Sequence, residues 1–211
     1  KNDQINICGE IRIRKLNTNH SISIGEICIE TVKFIDKIKP DLSIVYADRY
    51  ESFGFAIASS HSNIPLMHLE AGDITEGGTY DDQIRHCISK LSHLFCTSTK
   101  QGCQTLYRLG EEKWRCIQSG LLSYEDMQSI TDSQRQKIKK KFYIKDNEPI
   151  LLATMHSIPR DLKLTESETI EFFEGLKIFS NMIFSKIIIT SPNNDRSNKI
   201  IKNILKKYLK S

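Results

Sequence analysis

The chain has 211 residues, 39% hydrophobic and 27% charged, which is ordinary for a soluble globular protein and allows one large domain or two small ones. Its formal charge of +4 gathers in two basic runs, 135–145 and 199–210; without an aromatic reading surface beside them, these read as solvated helix faces and not as a nucleic-acid site. No apolar run is long enough to span a membrane, and nothing at the amino end resembles a signal peptide.

The first residues offer weak patterns: short strands at 5–8 and 11–14, then a polar turn at 16–20. From Ser23, the spacing of Ile24, Ile27, Cys28, Val32, Phe34 and Ile35 predicts a helix that must stop at Lys39, because Pro40 pushes its predecessor out of helical geometry. Leu42 to Tyr46 then reads as a short buried strand exiting at Asp48-Arg49, and Pro65 to Leu69 as another exiting at Glu70-Ala71-Gly72. Residues 52–61 between them have the make-up of a crossover helix, so the two strands are expected to lie parallel in one sheet. Ligands of open α/β sheets sit beyond the carboxyl ends of the strands, which puts Asp48, Arg49 and Glu70 along one crevice.

A glycine-containing turn, 73–79, leads into a helix marked by Ile84, Cys87, Ile88 and Leu91 at offsets of three, four and seven. Thr79 with Asp82 three residues on forms a capping pattern, so Asp81 and Asp82 have a purely structural reading beside a chemical one. Gly72, Gly77 and Gly78 favour the chemical one, since they permit close backbone approach to a ligand.

Further on, the pattern predicts a strand at 94–98, a helix at 100–109 stopped by Gly110, and a strand at 114–118 closing at Ser119-Gly120. A polar stretch at 121–148, with a helix near 131–143, marks a domain boundary. A second α/β unit opens with a strand at 149–155 that exits at His156. A helix at 165–181 follows, with Thr165 as its cap, then a strand at 186–191, the turn Pro192-Asn193-Asn194-Asp195, and a helix at 197–209. A histidine after an apolar strand is commonly structural, but its place at a strand exit makes His156 a candidate for substrate contact; Asn193 reads equally as a ligand contact or as an Asx turn. The six cysteines form no Cys-x-x-Cys pair and read as reduced thiols of a cytoplasmic protein, with no zinc-like spacing.

Ala47-Asp48-Arg49, His68-Leu69-Glu70-Ala71-Gly72-Asp73, Asp81-Asp82-Gln83-Ile84-Arg85-His86 and Lys90-Leu91-Ser92-His93 together resemble the hydrolysing UDP-N-acetylglucosamine 2-epimerases, in the branch that makes N-acetylmannosamine or its diacetamido analogue for sialic-acid-type sugars. The resemblance implies two Rossmann-like domains of GT-B type: residues 1–120, a helical linker at 121–148, and the start of a second, incomplete domain at 149–211. It implies Asp48, Glu70, Asp81 and His156 as catalytic residues and Arg49, Gly72 and Asn193 as substrate-binding ones, with no cofactor and no metal. The partner it implies is a UDP-sugar, in a cytoplasmic homodimer or larger homo-oligomer that binds neither nucleic acid nor membrane. Crowded carboxylates disfavour one another's charge and so can hold and pass on a proton, while the planar fork of an arginine suits a diphosphate.

Some letters depart from the family pattern. Ala47 and Ala71 stand for glycines, Ser157 for a proline, and Glu76-Gly77 reads as an insertion that would displace the third carboxylate. The chain opens on Lys1 and lacks the family's amino-terminal glycine-rich turn and its late nucleotide-binding turn, so truncation at both ends and feeble turnover are expected. Two other readings stay open: a glycosyltransferase of the same architecture, and a non-catalytic remnant.

Overall fold

The computed structural model describes residues 7, 9–12, 19–75, 80–127, 130–156, 162–183, 185–193 and 197–209. The expected strands at 5–8 and 11–14, the turn at 16–20, the cap Thr79, the insertion Glu76-Gly77 and Gly78, Ser157 and the end of the 192–195 turn fall wholly or partly outside those residues. Two compact units are present, 1–128 and 129–211, so the polar helix read as linker groups with the second.

In the first unit, helix α1 (His20–Ile38) opens on Asn19, whose side-chain oxygen accepts the Ser21 N–H at 3.0 Å, and ends on Lys39 in the left-handed region. There follow β1 (Ser43–Tyr46), α2 (Tyr50–His61), β2 (Leu66–Leu69), α3 (Tyr80–Leu91), β3 (Leu94–Thr97), α4 (Lys100–Arg108) and β4 (Cys116–Gln118). The four strands pair in chain order, each parallel to the next. Trp114, expected in the last strand, lies instead in a short 3-10 turn (Lys113–Arg115) and is largely exposed.

The pairing register aligns Val45 with His68, His68 with Phe95, and Phe95 with Cys116, so these share one face of the sheet. Helices α2, α3 and α4 cover that face. Val45, Leu66, Ala56 and Ile88 form one core cluster, and Phe95, Leu106 and Ala71 a second; each large apolar side chain buried there contributes on the order of 1.5–3 kcal/mol. On the opposite face, Ile44, Tyr46 and Ile117 remain 54%, 51% and 49% exposed. The expectation of a continuously buried β1 is therefore corrected to an alternating strand, because the described residues cover only one side of it.

The second unit holds α5 (Asp132–Lys141), β5 (Ile150–Ala153), α6 (Leu162–Ile183), β6 (Lys186–Ile189) and α7 (Asn198–Tyr208), with β5 and β6 parallel. Its core is Phe173, Ile201 and Ile204. Helix α6 begins before Thr165, which is fully buried inside it and accepts the Thr169 hydroxyl at 2.5 Å through its carbonyl; it is not the cap the sequence suggested. Among the described residues no helix is long and apolar enough to cross a membrane.

Candidate active site

Strands β1 and β2 run side by side, and their carboxyl ends deliver the first two candidates. Tyr46 is aligned with Leu69, and the Ala47 N–H continues the ladder to the Leu69 carbonyl at 3.0 Å, so Asp48 and Glu70 leave the sheet at neighbouring points. Both exits use left-handed backbone without glycine: φ is +54° at Ala47 and +59° at Glu70. For residues with a Cβ this conformation costs about 1–2 kcal/mol, a strain that concentrates at functional sites. The Tyr46 hydroxyl donates to Glu70 Oε1 at 2.7 Å. That bond, then burial, then the negative charges of Glu70 and Asp48 push the Tyr46 phenol up to about 12, so both carboxylates act on one side chain.

The third element is α3, whose inner face adds polar residues to the apolar stripe read in the sequence, of which Ile88 is buried and Ile84 and Leu91 pack beside it. Asp82, Arg85, Ile88 and Ser89 point inward, whereas Cys87 is exposed. The cause is charge pairing. Arg85 Nη1 donates to Asp82 Oδ1 at 2.7 Å and to the Asp73 carbonyl at 2.6 Å, while its Nη2 meets Asp48 Oδ2. Asp82 also accepts the Thr75 N–H on both oxygens, at 2.9 and 3.0 Å. A guanidinium and two carboxylates so well shielded hold one another at the end of the sheet, since removing any one would strand a buried charge. Asp82 thus anchors the loop before its helix.

Asp81 sits next to Asp82 in the first turn of α3 and is half-buried. Arg49 caps the amino end of α2 through its extended backbone, its Nε lying 3.7 Å from Glu51 Oε2. Gly72, with φ of +80°, has a packing role: a Cβ there would lie 2.2 Å from the Gly102 carbonyl oxygen in the first turn of α4. The close neighbour of this glycine is the chain's own helix. His156 and Asn193 meet in the second unit, where the Asn193 N–H faces His156 Nδ1 at 3.4 Å, and the Asn193 carbonyl accepts from Asn198 at 3.0 Å. Asp48, Glu70, Asp81, Arg49 and Gly72 therefore share one unit, and His156 and Asn193 the other.

Three residues of this region were not picked as site residues from sequence: Arg85, Asp82 and His68. Arg85 follows Asp82 by three and precedes Ser89 by four, the spacing of one helical face, so a polar inner stripe was readable beside the apolar one. His68 is fully buried on β2, its Nε2 2.8 Å from the Ala47 carbonyl and its Nδ1 3.0 Å from the Ser89 hydroxyl. Burial pushes its imidazole down to about 4, and the Arg85 charge adds to the shift, so it is neutral at ordinary pH. Among the described residues no His, Cys, Asp and Glu cluster could hold a metal ion.

A family model described as UDP-N-acetylglucosamine 2-epimerase matches residues 2–211. The chain is 29% identical over 214 residues to the UDP-N,N'-diacetylbacillosamine 2-epimerase (hydrolyzing) of Legionella pneumophila, covering 99% of this chain and 55% of that protein. It is 31% identical over 173 residues to the GDP/UDP-N,N'-diacetylbacillosamine 2-epimerase (hydrolyzing) of Campylobacter jejuni, covering 82% and 44%. Its fold is similar to that of the Neisseria meningitidis UDP-GlcNAc 2-epimerase bound to UDP-GlcNAc, with a TM-score of 0.74 at 20% identity over 92% of this chain and 54% of that one. The chain thus spans about half the length of the relatives it matches.

Proposed function

The chain belongs to the UDP-N-acetylglucosamine 2-epimerase family, and from that membership we propose that the protein is a hydrolysing UDP-sugar 2-epimerase. Its substrate is UDP-N-acetylglucosamine or the diacetamido sugar UDP-N,N'-diacetylbacillosamine. The proton on carbon 2 is abstracted and the bond from carbon 1 to the diphosphate oxygen breaks, releasing UDP and leaving a 2-acetamidoglycal. Water then adds, hydroxyl to carbon 1 and a proton to the opposite face of carbon 2, giving the free 2-epimer with no net redox change. Such a route needs proton carriers on the sugar and a cation on the leaving group.

Asp48, Glu70 and Asp81 are the proton carriers in this reading, and Arg49, at the amino end of α2, is the counter-ion of the diphosphate. Within the second unit, His156 and Asn193, which face one another, are the candidate substrate contacts. The observation that carries the reading is the bridge from Asp48 through Arg85 to Asp82, which draws the β1 exit and the start of α3 to the same end of the sheet as Glu70. Because Arg85 pairs with Asp48 and Asp82 together, Asp48 is held as an oriented acceptor, and the neighbouring exits leave Glu70 and Asp81 to share the remaining transfers. The product feeds the assembly of sialic-acid-type sugars in the cytoplasm, and the working form is a homo-oligomer.

Incubation with each UDP-sugar in deuterated water tests the chemistry. Deuterium at carbon 2 of a released, inverted sugar is expected. Release without that label, or with configuration retained, would overturn the proposal.

A further inference from the structure

We infer that His68 is a positioning residue which fastens the turn carrying Asp48 to the helix carrying Asp81, Asp82 and Arg85, from the strand that itself ends in Glu70. The inference rests on reading those carboxylates as the reactive groups, and its basis is connectivity. His68 lies on β2 two positions before Glu70; one ring nitrogen reaches the carbonyl of the residue before Asp48, and the other reaches Ser89, on the inner face of α3.

The hydrogen-bonding roles follow from chemistry. The Ala47 carbonyl can only accept, so Nε2 carries the proton. A neutral ring then presents Nδ1 as an acceptor, and the Ser89 hydroxyl, 3.0 Å away, is the donor in place. The one Ser89 proton serves either Nδ1 or the Arg85 carbonyl, 2.9 Å away, so its donation to the ring takes the place of the bond back to the arginine's backbone. An apolar residue of similar volume would fill the core beside Phe95 but would leave the Ala47 carbonyl, in the strained turn, without its side-chain partner. The groups that bear on the ring are Arg85 and His86 of α3, which disfavour its charge, and Asp48, which favours it. Either form of the ring can bond both partners, so it is burial, with the Arg85 and His86 charges, that favours the neutral one.

The inference separates two grips of Arg85. Its bond to Asp82 lies within α3, whereas its contact with Asp48 crosses between elements and depends on the clamp. In the isotope-labelled chain, the His68 ring nitrogens should report the neutral form protonated at Nε2 from pH 8 to pH 5. The opposite tautomer, or an ordinary titration near pH 6.5, would overturn the assignment. In His68→Leu, solvent exchange of the Arg85 Nη2 protons, which face Asp48, should speed up at least tenfold, while exchange of the Nη1 protons held by Asp82 and of the Thr75 amide stays unchanged.

If His68→Leu does not fold, Ser89→Ala, a smaller change at the other end of the bond, should produce the same selective loss more weakly. Equal protection of both sets of Arg85 protons, or a common loss that includes Thr75, would refute a positioning role. Turnover is a separate arm: kcat should fall tenfold or more in His68→Leu with KM within threefold, and His68→Gln should recover part of it. A wild-type protein that epimerises nothing would end the functional reading, while the exchange measurement would still decide the role of His68.

Discussion

His68 ties part of the chain's stability to pH. Its folded value of about 4 lies below the ordinary 6.5, so between those limits the unfolded chain takes up a proton that the folded chain refuses. The resulting stabilisation is complete above about pH 6.5 and is lost as pH falls towards 4, a span worth about 3 kcal/mol. Urea midpoints at pH 7 and pH 4.5 should differ accordingly, and the difference should shrink in His68→Gln; an equal difference in both proteins would assign the acid sensitivity elsewhere. The same scale explains what sequence could and could not tell about the site. Glu70 and Asp48 were legible because each follows an apolar run. The distinct placements of Asp81 and Asp82 were not, since successive helical residues diverge by about 100° and only the Arg85 pairing sets which one turns inward. The Ala47 departure from glycine likewise gains meaning only with φ of +54°, where a glycine would sit without strain.

At the scale of elements, α1 and α2 meet through Gly54. A Cβ there would lie 2.9 Å from the Ile24 carbonyl oxygen and 3.0 Å from the Ile27 side chain, so the helices can approach this closely only without one. Gly54→Ala should lower stability by about 1–2 kcal/mol, overpacking outweighing the helix preference of alanine. Gly175, in α6 with nothing within 4 Å, supplies the opposite sign. Gly175→Ala should raise stability by about 0.5–1 kcal/mol, and thermal melts that rank the two variants the other way would refute the packing account. Most elements were readable because their punctuation is explicit: Pro40 ends α1, Pro65 precedes β2, and Gly110, with φ of +87°, follows α4. The misreadings have a common source in tertiary context. Thr165 reads as a cap because local spacing cannot reveal that α6 already begins at Leu162. Cys87 fits the apolar stripe of Ile84, Ile88 and Leu91 by spacing but turns to solvent, while Asp82, Arg85 and Ser89 take part of the inner face.

Across the molecule, the first sheet has unequal faces: a packed one under α2, α3 and α4, and another where Ile44, Tyr46 and Ile117 stay about half exposed. Parallel sheets ordinarily bury both sides, and exposed contiguous apolar area invites association. The chain of 211 residues should therefore bind a hydrophobic dye at neutral pH while keeping native helix content, and Ile44→Lys with Ile117→Lys should remove most of that signal. Dye binding unaffected by the double substitution would place the exposed apolar area elsewhere. Membership of the epimerase family also removes support for the glycosyltransferase reading, which shared the architecture but had no use for the carboxylates. Asp48, His68, Glu70, Asp82 and Arg85 come from one unbroken run of chain, β1 to α3, and every partner named for them lies within the same unit. The contacts that join its elements span 21 to 37 residues, so this corner closes only once β1, β2 and α3 have come together. A substitution at any of these five residues should therefore disturb the first unit and leave residues 129–211 as they are.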